Sequence, residues 1–548
     1  MNTVKVYFNS EIHEFEKGTK LMEMIPHLGS FDCKPLAARV NNHFRDLNYP
    51  INHDSNVEFA DLRDSDGQKV YQRSLSFVFI RAAREIIKDA KVFIEHSLGK
   101  GIYCEIKTKE ILDESAIKKI KIRMMEIVER KEPFTLSVIT KSQAVNLFEK
   151  CGMNDKKELF EYSSENKVSI YRCGWLFDYF YGYMVPDTGY LDLFDLFKYQ
   201  KGLVLQLPDR DNPSVITAFG NYNKLAAIFD ETEAWGDILG IANVANLNGM
   251  IKNGKSGEII HISEALHEKK IANIADTINS RDARVIMIAG PSSSGKTTFA
   301  ERLYIQLRVL GLKPMTMSTD DYFVDRDKTP KKSDGSYDFE SLDALDIKKF
   351  NEDLKNLLTG EFVKLPKFDF MSGKRHYPNK EIKLNLNQPI IVEGIHGLNG
   401  FLLPKIPKDR VFKIYISALT QLNIDNHNRV RTTDARLIRR IVRDGSYRGH
   451  DAVKTISMWK NVRDGEENNI FPFQEEADIM FNSALVYELA VLKKHVEPLL
   501  REIDDSKREY AEARRLLKLL SNFISIDNEC HILKNSILRE FIGGSCHI

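Results

Sequence analysis

The sequence predicts an α/β fold with a mostly parallel sheet flanked by helices, and three stretches carry that prediction. The first is Gly290-Pro291-Ser292-Ser293-Ser294-Gly295-Lys296-Thr297, a glycine loop of the pattern G-x-x-x-x-G-K-T. It follows Arg284-Val285-Ile286-Met287-Ile288-Ala289, uncharged after Arg284 and rich in Val and Ile, like a strand buried on both faces. Beyond the loop, Phe299, Leu303, Leu307 and Leu310 recur at helical spacing until Gly311 and Pro314 supply a stop. The second stretch is Pro314 to Thr319, a short strand ending in Asp320-Asp321, and the third is Pro389 to Val392, running into Glu393-Gly394. Strands that end in acids place carboxylates at the C-terminal edge of a parallel sheet, where such folds bind ligands. Val411 to Ile416 adds another strand.

Strand, glycine loop and helix in that order surround a polyphosphate with backbone N–H groups and a helix N-terminus. The candidate cradle for a nucleoside triphosphate is therefore Gly290, Ser292, Ser293, Ser294, Gly295, Lys296, Thr297 and Thr298. Lys296 would reach the β- and γ-phosphates, and the Thr297 hydroxyl would ligate magnesium. Phosphoryl transfer to an alcohol needs a carboxylate that orients or accepts the hydroxyl proton and helps hold the metal. Asp320 is the candidate, with a turn-capping Asp as the alternative. Glu393 is placed to bind the magnesium directly or through water.

Asp434 to Asp444 calls for helical arithmetic. At about 100° per residue, Arg436, Arg439, Arg440 and Arg443 share one arc, opposite Leu437, Ile438, Ile441 and Val442. Neighbouring guanidinium groups repel unless an anion joins them, and a phosphate chain is such an anion. The expectation is a cationic lid, with Arg436 and Arg440 acting in catalysis and Arg439 and Arg443 on the nucleotide. A solvated face with salt bridges to Asp434 and Asp444 is the alternative. Arg448 and Gly449 extend the run.

The remaining features narrow the class. A formal net charge of +1 over 548 residues supplies no global argument for nucleic-acid or membrane binding. The six cysteines are scattered with no C-x-x-C pair, which fits free thiols in a reducing compartment and argues against a disulfide framework or zinc ribbon. No run approaches membrane-spanning length and no signal-peptide core opens the chain, so a cytoplasmic protein with no membrane partner is expected. The expected division is 1–62, 63–205, a connector at 206–280, 281–500, and a helical extension at 501–548. Densely charged helices after Leu485, interrupted at Pro498, suit docking or a homo-oligomer contact, and the apolar tail 536–542 should pack back.

At the front, Val4, Val6 and Phe8 keep period two, Ile12, His13 and Phe15 follow a turn, and Leu36 to Val40 forms a further strand ending in Asn41-Asn42. Lys34 to Asp61 resembles the TGS domain, a small β-grasp-like fold at the front of threonyl-tRNA synthetases. A generic ubiquitin-like fold is the alternative. The resemblance continues through Val70 to Phe77 and through Ile170 to Pro186 into an α+β domain like the editing domain of those enzymes. In that family, paired histidines on a long helix and a cysteine and histidine from the closing segment hold a metal. The matching positions here are Arg73, Phe77, Phe180 and Met184, which cannot form a zinc site. Binding or regulation is then what the domain retains, unless it is a structural appendage. The aromatic residues between Trp175 and Tyr190 suit either core packing or stacking on bases.

Residues 284 to about 485 resemble the uridine kinase branch of the phosphoribulokinase/uridine kinase family. The matching pieces are GPSSSGKTT at 290–298, STDDYF at 318–323, YDFESLDALD at 337–346, GEFVKLPKFDF at 360–370, VEGIHGL at 392–398 and DARLIRRIVRD at 434–444. The resemblance implies a P-loop kinase fold, ATP and magnesium as cofactors, and γ-phosphate transfer to the 5′-hydroxyl of a uridine- or cytidine-like nucleoside. Metal contacts fall on Thr297, Asp320 and Glu393, and substrate contacts on Asp320, Tyr322, Glu340, Phe368, Arg375 and Arg448. Glu340 stands where the family presents an aspartate to the ribose, and Phe368 and Gly373 replace a tyrosine and a histidine near the base. Losing polar groups that read a base weakens or redirects discrimination. A pentose-phosphate kinase is therefore a competing reading. So is an RNA-associated regulator that contacts tRNA through residues 1–205 and uses the P-loop as a switch. Against a GTP switch, Asn379-Lys380 is followed by Glu381-Ile382 instead of the guanine-reading x-Asp.

Overall fold

The computed structural model describes residues 3–546 except positions 110–111, 164, 333–334, 336, 370, 386, 404–405 and 420–421. At the front, a sheet runs in the order Glu11–Glu16, Thr3–Phe8, Ser55–Ala60, Ala37–Val40, His43–Arg45. The two reversals predicted from sequence are tight turns. Asn9 and Ser10 have φ of 47° and 68°, and Asn41 and Asn42 have 48° and 63°, the left-handed pair that a two-residue hairpin turn requires.

The long helix Ser65–Ile86 buries Val70, Tyr71, Leu75, Phe77, Val78 and Phe79. Around it stand a four-stranded sheet from residues 91–107 and 195–206 and a three-stranded sheet from residues 135–140 and 167–179. Of the four positions matching the metal ligands of the synthetase family, Phe77, Phe180 and Met184 are packed as core and Arg73 is half-buried. The Phe77 ring lies 5.5 Å from Phe134 and 5.9 Å from Phe180, Met184 is buried, and Arg73 donates to the Tyr183 carbonyl. Tyr179, Phe180 and Tyr181 are buried too, so core packing accounts for most of the aromatic density in this stretch, although Trp175 is half exposed.

Residues 206–280 form three helices, Asn223–Leu239, Val244–Lys252 and Ser256–Ser280. The helix expected over 262–277 runs to 25 residues and packs on the helix that follows the glycine loop. There the buried Arg302 pairs with Glu268 at 2.7 Å and Glu264 at 3.6 Å. The connector is thus one of the helical layers that cover the sheet.

That sheet has the order Met315–Ser318, Ile390–Glu393, Val285–Ala289, Val411–Ser417, Ile479–Asn482, with every neighbouring pair parallel. Register sets the site: Glu393 lies beside Ile288 on one side and Ser318 on the other. The loops after these three strands, carrying Gly290, Asp320 and Gly394, therefore emerge together at the C-terminal edge. They crowd there, since a Cβ on Gly394 would lie 1.8 Å from the Thr319 hydroxyl oxygen.

The chain closes with the helices Glu488–Arg501 and Tyr510–Leu520 and a short turn at Arg539–Ile542. Pro498 does not interrupt the first of these: it sits in the last turn, where it removes one N–H donor while its carbonyl still accepts from Glu502. Ile537, Leu538 and Phe541 pack back and are fully buried. A buried charge cluster ties the front to the P-loop region. Lys156 Nζ lies 2.8 Å from Asp425 and 3.3 Å from Asp178, and His427 Nδ1 lies 2.6 Å from Asp178. All six cysteines are free, and no helix among the described residues is long and apolar enough to cross a membrane.

Candidate active site

The glycine loop turns between the strand Val285–Ala289 and the helix Lys296–Val309. Two of its residues must be glycine. A Cβ on Gly290 would sit 1.9 Å from the Ile416 carbonyl oxygen, and Gly295 has φ of +85° with Ile537 against it. Lys296, in the first turn of the helix, folds back so that Nζ donates to the Gly290 and Pro291 carbonyls at 2.9 and 3.1 Å. Burial holds its ammonium below the usual lysine range, against the pull of Glu393, Asp320 and Glu540.

Thr297 is exposed, and its hydroxyl donates to Glu393 Oε1 at 3.2 Å. Glu393 Oε2 is buried with no hydrogen-bond partner. Burial pushes the Glu393 carboxyl up, with Lys296 opposing and Asp320 and Glu540 adding to the rise. A hydroxyl beside a carboxylate oxygen in want of a partner is a hard-oxygen donor set that fits magnesium. No group of three or more His, Cys, Asp or Glu side chains placed to hold a metal occurs among the described residues. An ion held by this pair would complete its shell with oxygens from outside the protein, water or phosphate.

Asp320 lies in the turn Thr319–Tyr322, which is capped by the Ser318 hydroxyl and leaves the Asp320 carboxylate free of that duty. Desolvation by the cleft walls raises its pKa, opposed by Lys296 and Arg448 and reinforced by Asp321. Glu340 faces the same space. Burial, followed by Glu466 and Asp320, pushes its carboxyl up to about 7 against Lys296 and Arg440. Lys296, Asp320, Glu340 and Glu393 thus share one field, with Arg448 at the rim.

Other predicted residues fall elsewhere. Arg436 and Arg439 do not form a lid, because both are buried beneath the glycine loop. Arg436 pairs with Glu466 and donates to the Ser292 carbonyl at 3.0 Å. Arg439 pairs with Glu488 at 2.5 Å and donates to the Ser483 and Ser293 carbonyls at 2.8 and 3.3 Å. Buried guanidiniums need acidic partners, and those acids lie in distant segments. Arg440 does reach the loop, donating to Ser292 Oγ at 3.0 Å, while Asp444 gathers Arg440, Arg443 and Arg448. Tyr322 is buried against Phe350 with its hydroxyl on Asp353, which removes it from the substrate set. Arg375 pairs with Asp346 at 3.0 Å, and Phe368 packs on Phe323. The hairpin bearing both docks on Asp321 through Lys367, not on Asp320.

Three acids at this site escaped the sequence reading. Glu466 accepts from the Ser292 amide at 3.1 Å, Glu488 balances Arg439, and Glu540 accepts from the Thr298 hydroxyl at 3.0 Å. The one signal for them was the excess of arginines on the apolar-backed helix Thr432–Tyr447, which demanded counter-charges without saying where.

Comparison with known proteins divides the chain in two. Residues 285–490 match the model of the Phosphoribulokinase / Uridine kinase family. The front of the chain is similar to threonine–tRNA ligases. It is 26% identical over 196 residues to that of Listeria monocytogenes serotype 4a, covering 35% of this chain and 31% of the relative. It is 29% identical over 196 residues to threonine–tRNA ligase 1 of Bacillus subtilis, covering 35% and 30%. The chain thus spans about a third of the length of the curated relatives it matches. Among solved structures, a possible uridine kinase from Bacillus stearothermophilus is 19% identical, covers 39% of this chain and 97% of its own, and has a TM-score of 0.26. The protein joins a front like that of the threonine–tRNA ligases to a P-loop kinase fold whose residues 285–490 match the Phosphoribulokinase / Uridine kinase family.

Proposed function

We propose that the protein is an ATP- and magnesium-dependent kinase that transfers the γ-phosphate to the 5′-hydroxyl of a nucleoside. The observation that carries this reading is the convergence of Lys296, the Thr297–Glu393 pair and Asp320 on one sheet edge. In this reading the loop amides and Lys296 bind the phosphate chain, and Thr297 and Glu393 hold magnesium, which neutralises phosphate charge. Asp320 orients the acceptor hydroxyl and receives its proton, as the resemblance implies. Arg440, Arg443 and Arg448 are the cations left to meet charge developing on the transferred group. Arg436 and Arg439 shape the loop from beneath. Glu340, with its carboxyl near neutrality, faces the position expected for the sugar and binds it through hydrogen bonds.

A panel of nucleosides and pentose phosphates, assayed for acceptor-dependent ADP formation, tests the substrate class. Turnover with uridine or cytidine supports the reading; turnover with pentose phosphates alone overturns it.

A further inference from the structure

Buried arginines in this protein come with acids. Arg436 has Glu466, Arg439 has Glu488, Arg302 has Glu264 and Glu268, and Arg515 has Asp434 at 2.7 Å. Three half-buried arginines break the pattern where the front meets the segment leading into the helix Thr432–Tyr447. Arg73 Nη1 donates to the Tyr183 carbonyl, Arg429 Nη2 to Ser97 Oγ at 2.7 Å, and Arg431 Nη2 to Gln72 Oε1 at 3.2 Å. Each of these partners is neutral. None of the three guanidiniums pairs with a carboxylate among the described residues.

The three belong to one place. Gln72, the acceptor for Arg431, adjoins Arg73, and the Tyr181 hydroxyl, two residues from the acceptor for Arg73, donates to the Arg429 carbonyl at 2.8 Å. Burial and then Arg431 push both Arg73 and Arg429 down to about 10, while Asp434, already paired with Arg515, pulls Arg429 and Arg431 back up. The nearest acids are already engaged: Arg515 occupies both oxygens of Asp434, and it shares Glu512 with Lys69. Exposed Lys518 adds a fourth cation beside Arg73. Arg429 Nε is buried with no partner, and Gly182 gives Arg73 its room, since a Cβ there would lie 2.5 Å from Arg73 Cζ.

Clustered guanidiniums that outnumber their counter-ions destabilise a fold, and a multiply charged anion relieves the cost. We infer that Arg73, Arg429 and Arg431 form a binding site, separate from the triphosphate cradle, for the phosphoryl groups of a small phosphorylated ligand. Guanidinium forks match phosphate oxygens in pairs. The acids Asp434, Glu512 and Asp66 nearby, and the formal net charge of +1, leave no extended basic track for a polynucleotide. The segment bearing Arg429 and Arg431 runs into the helix whose Arg436 and Arg439 hold the glycine loop, which offers a bound ligand a physical route to the cradle.

The test uses the full chain carrying Lys296→Ala, so that the cradle has lost its ammonium. Pyrophosphate and AMP are titrated by calorimetry at low salt, with tRNA as a separate arm. The expected result is one-site binding of pyrophosphate or AMP, weakened tenfold or more by Arg73→Gln and by Arg431→Gln. The ligand-free variants should melt no earlier than their parent, because removing one charge relieves repulsion. Absence of binding by both small probes, or affinity unchanged in the arginine variants, overturns the inference. Arginine-dependent binding of tRNA alone overturns it in favour of RNA. Should Arg73→Gln fail to fold, Arg429→Gln takes its place and is read in the same way.

Discussion

The Thr297 hydroxyl donates to Glu393 Oε1 across 3.2 Å, linking the helix that follows the glycine loop to the end of the neighbouring strand. The opposite oxygen of Glu393 is buried without a partner. A carboxylate held by one oxygen and free at the other is poised for a cation. Glu393→Gln should lower kcat/KM by about 10²–10³-fold, the range for losing one charged stabiliser of a transition state. Titrating magnesium against rate checks it: the variant should need more magnesium, and an unchanged magnesium requirement would remove Glu393 from the metal site.

Glu340 yields a pH signature. Its carboxyl is raised to about 7, so it is neutral below that pH and ionised above. If the ionised form binds the acceptor sugar, kcat/KM rises with pH through about 7 and levels off beyond it. Glu340→Gln should erase this limb, whereas Glu340→Asp should keep one, shifted. A limb that persists in Glu340→Gln assigns the titration to another group.

Arg439 and Glu488 are both fully buried and paired. Removing one partner strands the other charge, at a cost of about 3–5 kcal/mol. Glu488→Gln should therefore show an earlier urea midpoint, while a double Arg439→Met, Glu488→Met variant recovers part of the loss. A single variant with an unshifted midpoint would show that the pair does not support the loop.

The Lys156 cluster predicts how the front is held. Lys156 and His427 depress the Asp178 carboxyl despite its burial, and Asp178 and Asp425 raise Lys156 against its own burial. A depressed carboxylate contributes stability above its unfolded pKa of about 4, and that contribution is lost as pH falls through the folded value. Lys156→Met leaves two buried acids without their cation and should expose the 422–430 segment to proteases at neutral pH. Acid treatment of the unmodified chain should expose the same segment only below pH of about 4. Equal protease resistance of variant and parent at pH 7 would contradict this.

The placement of the sheet edge that carries the candidate site was largely legible in the sequence because its signals are local. The G-x-x-x-x-G-K-T loop, the strand before it and the acids at 320 and 393 each sit within a few residues of the pattern that reveals them. Parallel register then brings them together without further instruction. The arginine helix shows where local reading stops. Periodicity placed Arg436 and Arg439 on one face, but the acids that turn that face inward, Glu466 and Glu488, arrive from later helices. Tyr322 was misplaced for a similar reason: its neighbour Asp320 faces the cleft while Tyr322 turns to Asp353, a partner 31 residues away. The tail contact of Ile537 on Gly295 and of Glu540 on Thr298 lies more than 240 residues from the loop and left no trace in either stretch.

The most direct test follows the phosphorus. The unmodified chain is incubated with ATP, magnesium and uridine or cytidine, and the products are resolved by ³¹P NMR, alongside Lys296→Ala and Asp320→Asn. The account predicts stoichiometric ADP and a nucleoside 5′-monophosphate, lost in both variants while their folds survive. ATP cleaved to free phosphate with no phosphorylated nucleoside, or transfer that proceeds undiminished in Lys296→Ala, would contradict it.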